Sequence, residues 1–217
     1  MQFWSEKSYL IKDWILILFI FYSILLLGLK FIDPIQFRLI IISRSFKQYV
    51  QRYGIDKKFD VFKPFYLIIF FNIVISFSFI ATIYNNKIPN TLISLEHYLK
   101  TFVIIITFLM LRFFFIYFLN KKLNIINNIN IYFFKILIFY GLISFILMVI
   151  CSCLYITNSI NSIILNGIII SLITIISLFH FFIYKENIEG DYTNVLYLFY
   201  YLCAFKIAPW LWIANSL

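Results

Sequence analysis

The hydrophobic positions of this chain fall in long, nearly unbroken runs separated by short polar segments. A transmembrane helix needs about 20 apolar residues, because the hydrocarbon core of a bilayer is about 30 Å thick and a helix rises about 1.5 Å per residue. The runs are continuously apolar rather than alternating, which indicates helices and not the strands of a membrane barrel. The sequence therefore predicts six spans, at about residues 14–32, 64–84, 101–119, 134–156, 163–184 and 195–213.

The first of these spans has two interpretations. Lys7 and Lys12 would be the basic head of a secretory signal peptide. However, no small-x-small cleavage site follows the run, which continues instead into Lys30, Phe31 and Ile32. We therefore expect a retained transmembrane helix.

The loop after the first span contains signals for a separate helix. Asp33 is a good N-cap, Pro34 suits the first helical position, and Gly54 suits a C-terminal stop. Seven apolar side chains between them share one face at 100° per residue: Ile35, Leu39, Ile42, Phe46, Tyr49, Val50 and Tyr53. The pattern predicts an amphipathic interfacial helix over residues 34–53. Phe37, Ile40 and Ile41 break it, so we expect this helix to be half-embedded or to touch other spans.

The same helix is basic. Its positive side chains are Arg38, Arg44, Lys47 and Arg52. Basic side chains beside a span are attracted to the anionic cytoplasmic leaflet, at about 1 kcal/mol each. One interpretation is recognition of a lipid head group or a protein partner, and the other is an anchor that only sets the topology.

Composition and charge define the class of protein and its orientation. Hydrophobic residues make up 64% of the chain and charged residues 12%, which excludes a soluble globule, and 28 phenylalanines exclude disorder. Within the net charge of +9, Lys and Arg concentrate in the first, third and fifth loops. The positive-inside rule places these loops in the cytoplasm and both termini outside, where the four tryptophans also lie near the interface.

Four polar residues are predicted inside spans, namely Asn72, Arg112, His180 and Lys206. At the rise of an α-helix, they lie about 12, 11, 6 and 16 Å from the cytoplasmic end of their spans. In the functional interpretation they line one inward-facing cavity for an anionic ligand such as a lipid phosphate. In the alternative, Arg112 and His180 snorkel to the interface, Asn72 bonds a neighbouring helix, and Lys206 binds backbone carbonyls or water.

The other reactive residue types indicate no chemistry. Cys151 and Cys153 are two positions apart, so they lie on different helix faces, and Cys203 is on another span. His97 is predicted outside, where Glu96 and Lys100 form an i,i+4 pair on a helical extension of the third span. No nucleotide, zinc or nucleophile-elbow motif is present. We expect no cofactor, no metal and no nucleic-acid partner.

The C-terminal stretch carries a family resemblance. Residues 200–209, YYLCAFKIAP, resemble the closing signature of the domain of unknown function 4271 family, in which Tyr-Leu-Cys is followed by Ile-x-Pro. Residues 30–34, with Phe37, and residues 70–73, with Ser76 and Ser78, are also similar. The resemblance implies a multi-pass protein of the inner membrane of Bacteroidota and implies no activity. Family members usually have an acidic residue at the position of Lys206, so the lysine departs from the pattern.

Together these patterns predict an all-α integral membrane six-helix bundle with an additional cytoplasmic amphipathic interfacial helix, as a single transmembrane domain over residues 1–217. The leading functional hypothesis is a non-enzymatic scaffold or accessory subunit of the cell inner membrane that binds anionic lipid and possible membrane protein partners. The alternative is a small transporter or permease that uses the inward-facing basic polar cluster. An enzyme is the least supported class.

Overall fold

The computed structural model describes residues 13–41, 49–55, 60, 62–85, 94–123, 128–156 and 162–187. Over these residues the chain is helical and contains no strand. The helices are α1 Asp13–Ile32, α2 Pro34–Ile41, a π-helical segment Val50–Ile55, α3 Pro64–Asn85, α4 Leu95–Leu123, α5 Ile129–Ile156 and α6 Ser162–Asn187. Five of them, α1, α3, α4, α5 and α6, are long and apolar enough to cross a membrane.

The helix starts follow from polar caps in the sequence. The Asp33 carboxylate accepts a hydrogen bond from the Gln36 amide N–H at 2.9 Å, so the predicted N-cap of α2 is confirmed. At the start of α4, Ser94 Oγ accepts a hydrogen bond from the His97 amide N–H in the same way. The cap at Ser94 makes α4 begin six residues before the apolar run at Thr101, as the predicted helical extension requires.

Helix α3 is the centre of the bundle, because α1, α4 and α5 all pack against it. In the most apolar 18-residue stretch of α3, 78% of the residues are buried, whereas in the corresponding stretch of α6 only 6% are buried. Gly141 of α5 permits the close approach of the two central helices, since a Cβ at this position would lie 2.7 Å from Cγ2 of Ile69. The outer faces of α1, α4 and α6 remain covered with exposed Ile, Leu and Phe side chains, as lipid contact requires.

The segment between α1 and α3 closes one end of the bundle. Tyr49 stacks on Phe134 at the start of α5, with ring centroids 5.4 Å apart, and Tyr66 of α3 meets the same ring edge-on. The side-chain amide of Gln36 donates a hydrogen bond to the Tyr66 hydroxyl at 3.5 Å. A Cβ on Gly54 would lie 2.9 Å from Cδ1 of Phe134, so glycine is needed there for contact with the bundle. We call Gln36, Tyr49, Gly54, Tyr66 and Phe134 the aromatic cap.

The aromatic cap refines the prediction for this loop. Tyr49, Val50 and Tyr53, three residues of the predicted apolar face, are buried against protein. Ile40, which broke the amphipathic pattern, is only 3% exposed and belongs to the hydrophobic core, and α2 contacts α5. Helical conformation continues one residue past the predicted stop at Gly54.

Two predicted elements fall partly or wholly outside the described residues. Residues 42–48 are among these, so one continuous interfacial helix over residues 34–53 stays a prediction. The sixth predicted span, residues 195–213, also lies outside them.

Candidate functional site

Two of the four predicted intramembrane residues meet inside the bundle. Arg112 of α4 and His180 of α6 are 8% and 1% exposed, and Nη2 of Arg112 lies 3.3 Å from Nε2 of His180. A third residue, Tyr140 of α5, joins them. Its hydroxyl oxygen lies 3.3 Å from Nη1 of Arg112 and 2.9 Å from Nε2 of His180. We call these three side chains the buried polar triad.

The chemistry of the three side chains determines the direction of the hydrogen bonds. A guanidinium has donors only, so Arg112 donates to the Tyr140 oxygen. The Tyr140 hydroxyl can then donate its own hydrogen to Nε2 of His180, which also faces the second arginine nitrogen. This arrangement fits Nε2 as the acceptor nitrogen of a neutral imidazole, with its one lone pair facing both donors. The triad links three helices through one hydrogen-bonded chain.

Aromatic packing positions the triad. The Arg112 guanidinium carbon lies 5.8 Å from the centre of the Tyr140 ring, in cation–π geometry. Phe77 of α3 packs edge-on against the same ring. Phe179, next to His180, is stacked on Phe139, next to Tyr140. The stack brings α6 to α5 at the level where the polar contact forms.

A small cavity lies beside the triad, between α3, α4 and α5. Its volume is about 20 Å³, which is room for about one water molecule. Arg112 and Tyr140 contribute to its wall, and the other lining residues are apolar: Phe70, Ile73, Leu109, Phe113, Ile116, Ile136 and Leu137. Of the predicted site residues, Arg112 is among those that line this cavity, so a shared ligand cavity stays a prediction.

Asn72 of α3, the third predicted residue, does not hydrogen-bond to the triad. Its side chain is fully buried, and neither amide atom has a hydrogen-bond partner among the described residues. One turn further along α3, Ser76 Oγ donates to the Asn72 backbone carbonyl. The expected hydrogen bond from Asn72 to a neighbouring helix is therefore absent from the described part of the chain. Lys206, the fourth residue, lies outside that part.

Sequence reasoning missed Tyr140. One tyrosine among sixteen gives little signal, although a tyrosine well inside a span needs a partner for its hydroxyl. At the rise of a helix, Tyr140 lies in the cytoplasmic half of its predicted span, at a level similar to that of Arg112 and His180. The depth of Tyr140 in its span, rather than its residue type, could have identified it as a partner of Arg112 and His180.

The basic side chains of the predicted membrane-surface helix are only partly described. Arg38 is exposed on α2, and Arg52 is exposed with its guanidinium carbon 5.7 Å from the centre of the Tyr53 ring. Arg44 and Lys47 lie outside the described residues. Burial against the aromatic cap raises the pKa of the Tyr49 hydroxyl, so this buried side chain adds no negative charge near them.

Three more exposed basic side chains belong to the same end of the bundle. They are Lys30 at the end of α1, Lys63 before α3, and Lys121 near the end of α4. We call these three with Arg38 and Arg52 the basic end. None of the five forms an ion pair with a described acidic residue. Asp33 and Asp60, two acids at this end whose side chains are described, accept hydrogen bonds from backbone N–H groups.

The opposite end of the bundle differs in charge. There, Lys100 forms a 2.7 Å ion pair with Glu96 on exposed helix surface. Among the described side chains, no three His, Cys, Asp or Glu residues come together in a group that could hold a metal ion.

Comparison with known families agrees with the fold. The model of the family described as domain of unknown function (DUF4271) matches residues 15–217, which is nearly the whole chain. The chain belongs to the DUF4271 family. With its apolar helices, this DUF4271 protein is a transmembrane protein, as the C-terminal signature implied. No curated protein and no solved structure matches the chain.

Proposed function

We propose that this DUF4271 protein is a non-enzymatic scaffold or accessory subunit of the cell inner membrane, whose basic end binds anionic lipid head groups. The observation that carries the proposal is the gathering of Lys30, Arg38, Arg52, Lys63 and Lys121 at one end of the bundle, without described acidic partners. Unpaired basic side chains at a membrane surface attract anionic lipid at about 1 kcal/mol each.

Exposed apolar side chains beside these charges support the same function. Phe31 and Phe62 are both 82% exposed, next to Lys30 and Lys63 in sequence. Aromatic side chains flanked by lysine suit the boundary between head groups and acyl chains. In this proposal the rings enter the acyl region while the ammonium groups contact phosphates, with the basic end in the cytoplasm and both termini outside.

The permease alternative has less support. Transport requires a cavity that accepts a substrate, and the cavity beside Arg112 has room for about one water. The triad next to it is hydrogen-bonded within the bundle. We therefore favour a scaffold that presents its basic end at the membrane surface over a permease that moves a solute across the membrane.

The experiment compares the lipids that remain bound after purification. The parent protein and the triple variant Lys30→Gln, Arg38→Gln, Lys63→Gln are extracted from membranes of known anionic content, and bound lipid is quantified by mass spectrometry. We expect the triple variant to lose most of its anionic lipid and to keep its zwitterionic lipid. Lys100→Gln, at the opposite end, is the matched control and should behave as the parent.

Because basic loop residues also set orientation, the topology of each variant is measured in the same membranes. An unchanged ratio of anionic to zwitterionic lipid in a correctly oriented triple variant would reject the lipid proposal. A changed topology with an unchanged ratio would leave the basic end as a topology anchor only.

A further inference from the structure

The two sides of α6 differ in residue type. The side that packs on the bundle contains the buried residues Leu165, His180 and Ile183. Five half-buried apolar side chains of the same helix also pack on the hydrophobic core: Ile168, Ile169, Leu172, Ile176 and Phe179. At 100° per residue these eight positions share one side of the helix, which we call the inner face. The opposite side, which we call the outer face, is turned away from the core.

The outer face of α6 is more polar than the other exposed helix surfaces. Its exposed residues include five that are small or polar: Asn166, Gly167, Ser171, Thr174 and Ser177. Exposed Gly, Ser, Thr or Asn residues number only one on the described part of α1, Ser23, and one on that of α4, Thr107. In membranes, small residues permit close approach of helices, and hydroxyl and amide groups hydrogen-bond between them. The outer face therefore has the composition of a helix–helix contact rather than of a lipid surface.

The geometry of the outer face leaves hydrogen-bond acceptors available. A Cβ on Gly167 would have no heavy atom within 4 Å, so the surface is open there. Ser171 Oγ and Thr174 Oγ1 donate to backbone carbonyls of the preceding turn at 2.8 and 2.9 Å. A hydroxyl oxygen retains lone pairs after it has donated its hydrogen. A donor on a second helix can therefore bind these oxygens without breaking the bonds within α6.

We propose that the predicted sixth span of this chain, residues 195–213, packs antiparallel on the outer face of α6, with Lys206 donating hydrogen bonds to Thr174 and Ser177. That span lies outside the described residues, and the length of its connection to α6 supports the proposal. Helix α6 ends at Asn187, which leaves the seven residues 188–194 before the span. Helices joined by about 2–8 residues are typically antiparallel neighbours. Since the inner face packs on the core, the outer face is the side of α6 that can receive the span.

The register of such a pair brings Lys206 to hydroxyl groups. With residue 195 level with residue 187, Lys206 comes level with about residue 176, because the two helices rise equally in opposite directions. Thr174 and Ser177 flank this level on the outer face. An ammonium group has three donors and no acceptor, so within a bilayer it needs oxygen partners. The proposed contact supplies them.

Charge also favours the outer face over the inner face. The Arg112 guanidinium lies 3.3 Å from His180 on the inner face. A second cation on that side would be repelled strongly, because the dielectric constant inside the bundle is low. On the outer face, α6 itself separates the Lys206 ammonium from Arg112. This contact is distinct from the basic end, so it goes beyond the proposed lipid binding and does not depend on it.

Disulfide cross-linking in native membranes tests the contact. Cys203 lies three positions before Lys206, on the same side of the predicted span, and comes level with about residue 179. With Cys151 and Cys153 replaced by alanine, a new cysteine is placed at Phe181, near the centre of the outer face. The matched control places it at Phe182, which is similarly exposed and is turned about 100° away. After oxidation, disulfides are identified by mass spectrometry of peptides.

We expect a disulfide within one chain between Cys203 and Phe181→Cys, at several times the yield obtained with Phe182→Cys. A disulfide between two chains, seen as a cross-linked dimer, would assign the outer face to a second copy and overturn the proposal. Equal yields for the two variants, or no disulfide in either, would also overturn it.

A comparison of melting temperatures tests the hydrogen bonds of Lys206. The double variant Thr174→Val, Ser177→Ala removes both hydroxyls. We expect it to melt about 2–4 °C below the parent, and to cause no loss when Lys206→Leu has already removed the ammonium group. Ser23→Ala is the matched control, because Ser23 is exposed on α1 and donates to its own helix in the same way. An equal loss with and without Lys206 would overturn the assignment of its partners.

Discussion

The hydroxyl of Tyr140 lies 2.9 Å from Nε2 of His180, although the two residues are 40 positions apart on different helices. The same oxygen accepts a hydrogen bond from Arg112, so one atom connects three helices. Removing this atom should separate α5 from the polar contacts and leave only the direct contact between Arg112 and His180, without disturbing the packing of the ring.

We therefore expect Tyr140→Phe to destabilise the protein by about 1–3 kcal/mol, because it leaves buried polar partners of the hydroxyl unsatisfied. Thermal unfolding in detergent measures the change. Tyr117→Phe is the matched control. Tyr117 is exposed on α4, so this variant should lose little stability. Equal stability of the two variants would show that the hydroxyl contributes nothing to the bundle.

Asn72→Leu should change the stability in the opposite direction and stabilise the protein. The amide is fully buried, and its two polar atoms have no hydrogen-bond partner among the described residues. Replacing such a group with an apolar side chain of similar volume recovers a desolvation cost of about 1–3 kcal/mol. We expect a higher melting temperature for Asn72→Leu and no comparable gain for Asn130→Leu at an exposed position. A lower melting temperature for Asn72→Leu would mean that the amide binds something the fold depends on.

Gly54→Ala should loosen the aromatic cap. The added methyl would lie 2.9 Å from Cδ1 and 3.1 Å from Cε1 of Phe134, closer than carbon atoms normally pack. Overpacking of this kind costs about 1–3 kcal/mol. The control is Gly167→Ala, where no heavy atom lies within 4 Å of the new Cβ, so stability should stay the same or rise slightly.

Limited proteolysis gives a second measurement of the cap. If Gly54→Ala releases the segment from α5, cleavage near residues 49–55 should become faster while α3 remains protected. Unchanged cleavage and unchanged melting would contradict the close contact with Phe134.

The orientation of the bundle is open to direct measurement. Phe62 and Ser94 lie at opposite ends of the described helices, and both are exposed. Each is replaced by cysteine in a separate variant. In cells whose outer membrane has been made permeable and whose inner membrane is intact, a thiol reagent that does not cross membranes should label Ser94→Cys. It should label Phe62→Cys only after the inner membrane is opened. The reverse pattern would invert the predicted topology.

Much of the helical architecture could be predicted from the sequence because apolar run length and polar caps are local signals. Asp33 and Pro34 indicated the start of α2, and Glu96 with Lys100 indicated the extension of α4. The triad was predictable only in part. Depth placed Arg112 and His180 at similar levels, but which helix faces meet depends on packing between spans.

The remaining features depend on contacts between distant residues. The apolar face of the loop after α1 suggested contact with lipid, whereas Tyr49 and Tyr53 are buried against protein. Hydropathy alone does not distinguish a lipid surface from the end of a helix bundle. Gly54 had the sequence of a helix stop, and only the position of the Phe134 ring shows why a side chain is excluded there.

The serine and threonine side chains of α3 have a consequence for membrane insertion. Ser76, Ser78 and Thr82 each donate a hydrogen bond to a backbone carbonyl four residues earlier in the same helix. These hydroxyls therefore need no neighbouring helix to satisfy them when the nascent chain leaves the translocon. The helix that becomes the centre of the bundle can enter lipid before α4 and α5 have been synthesised, with Asn72 as its main polar cost.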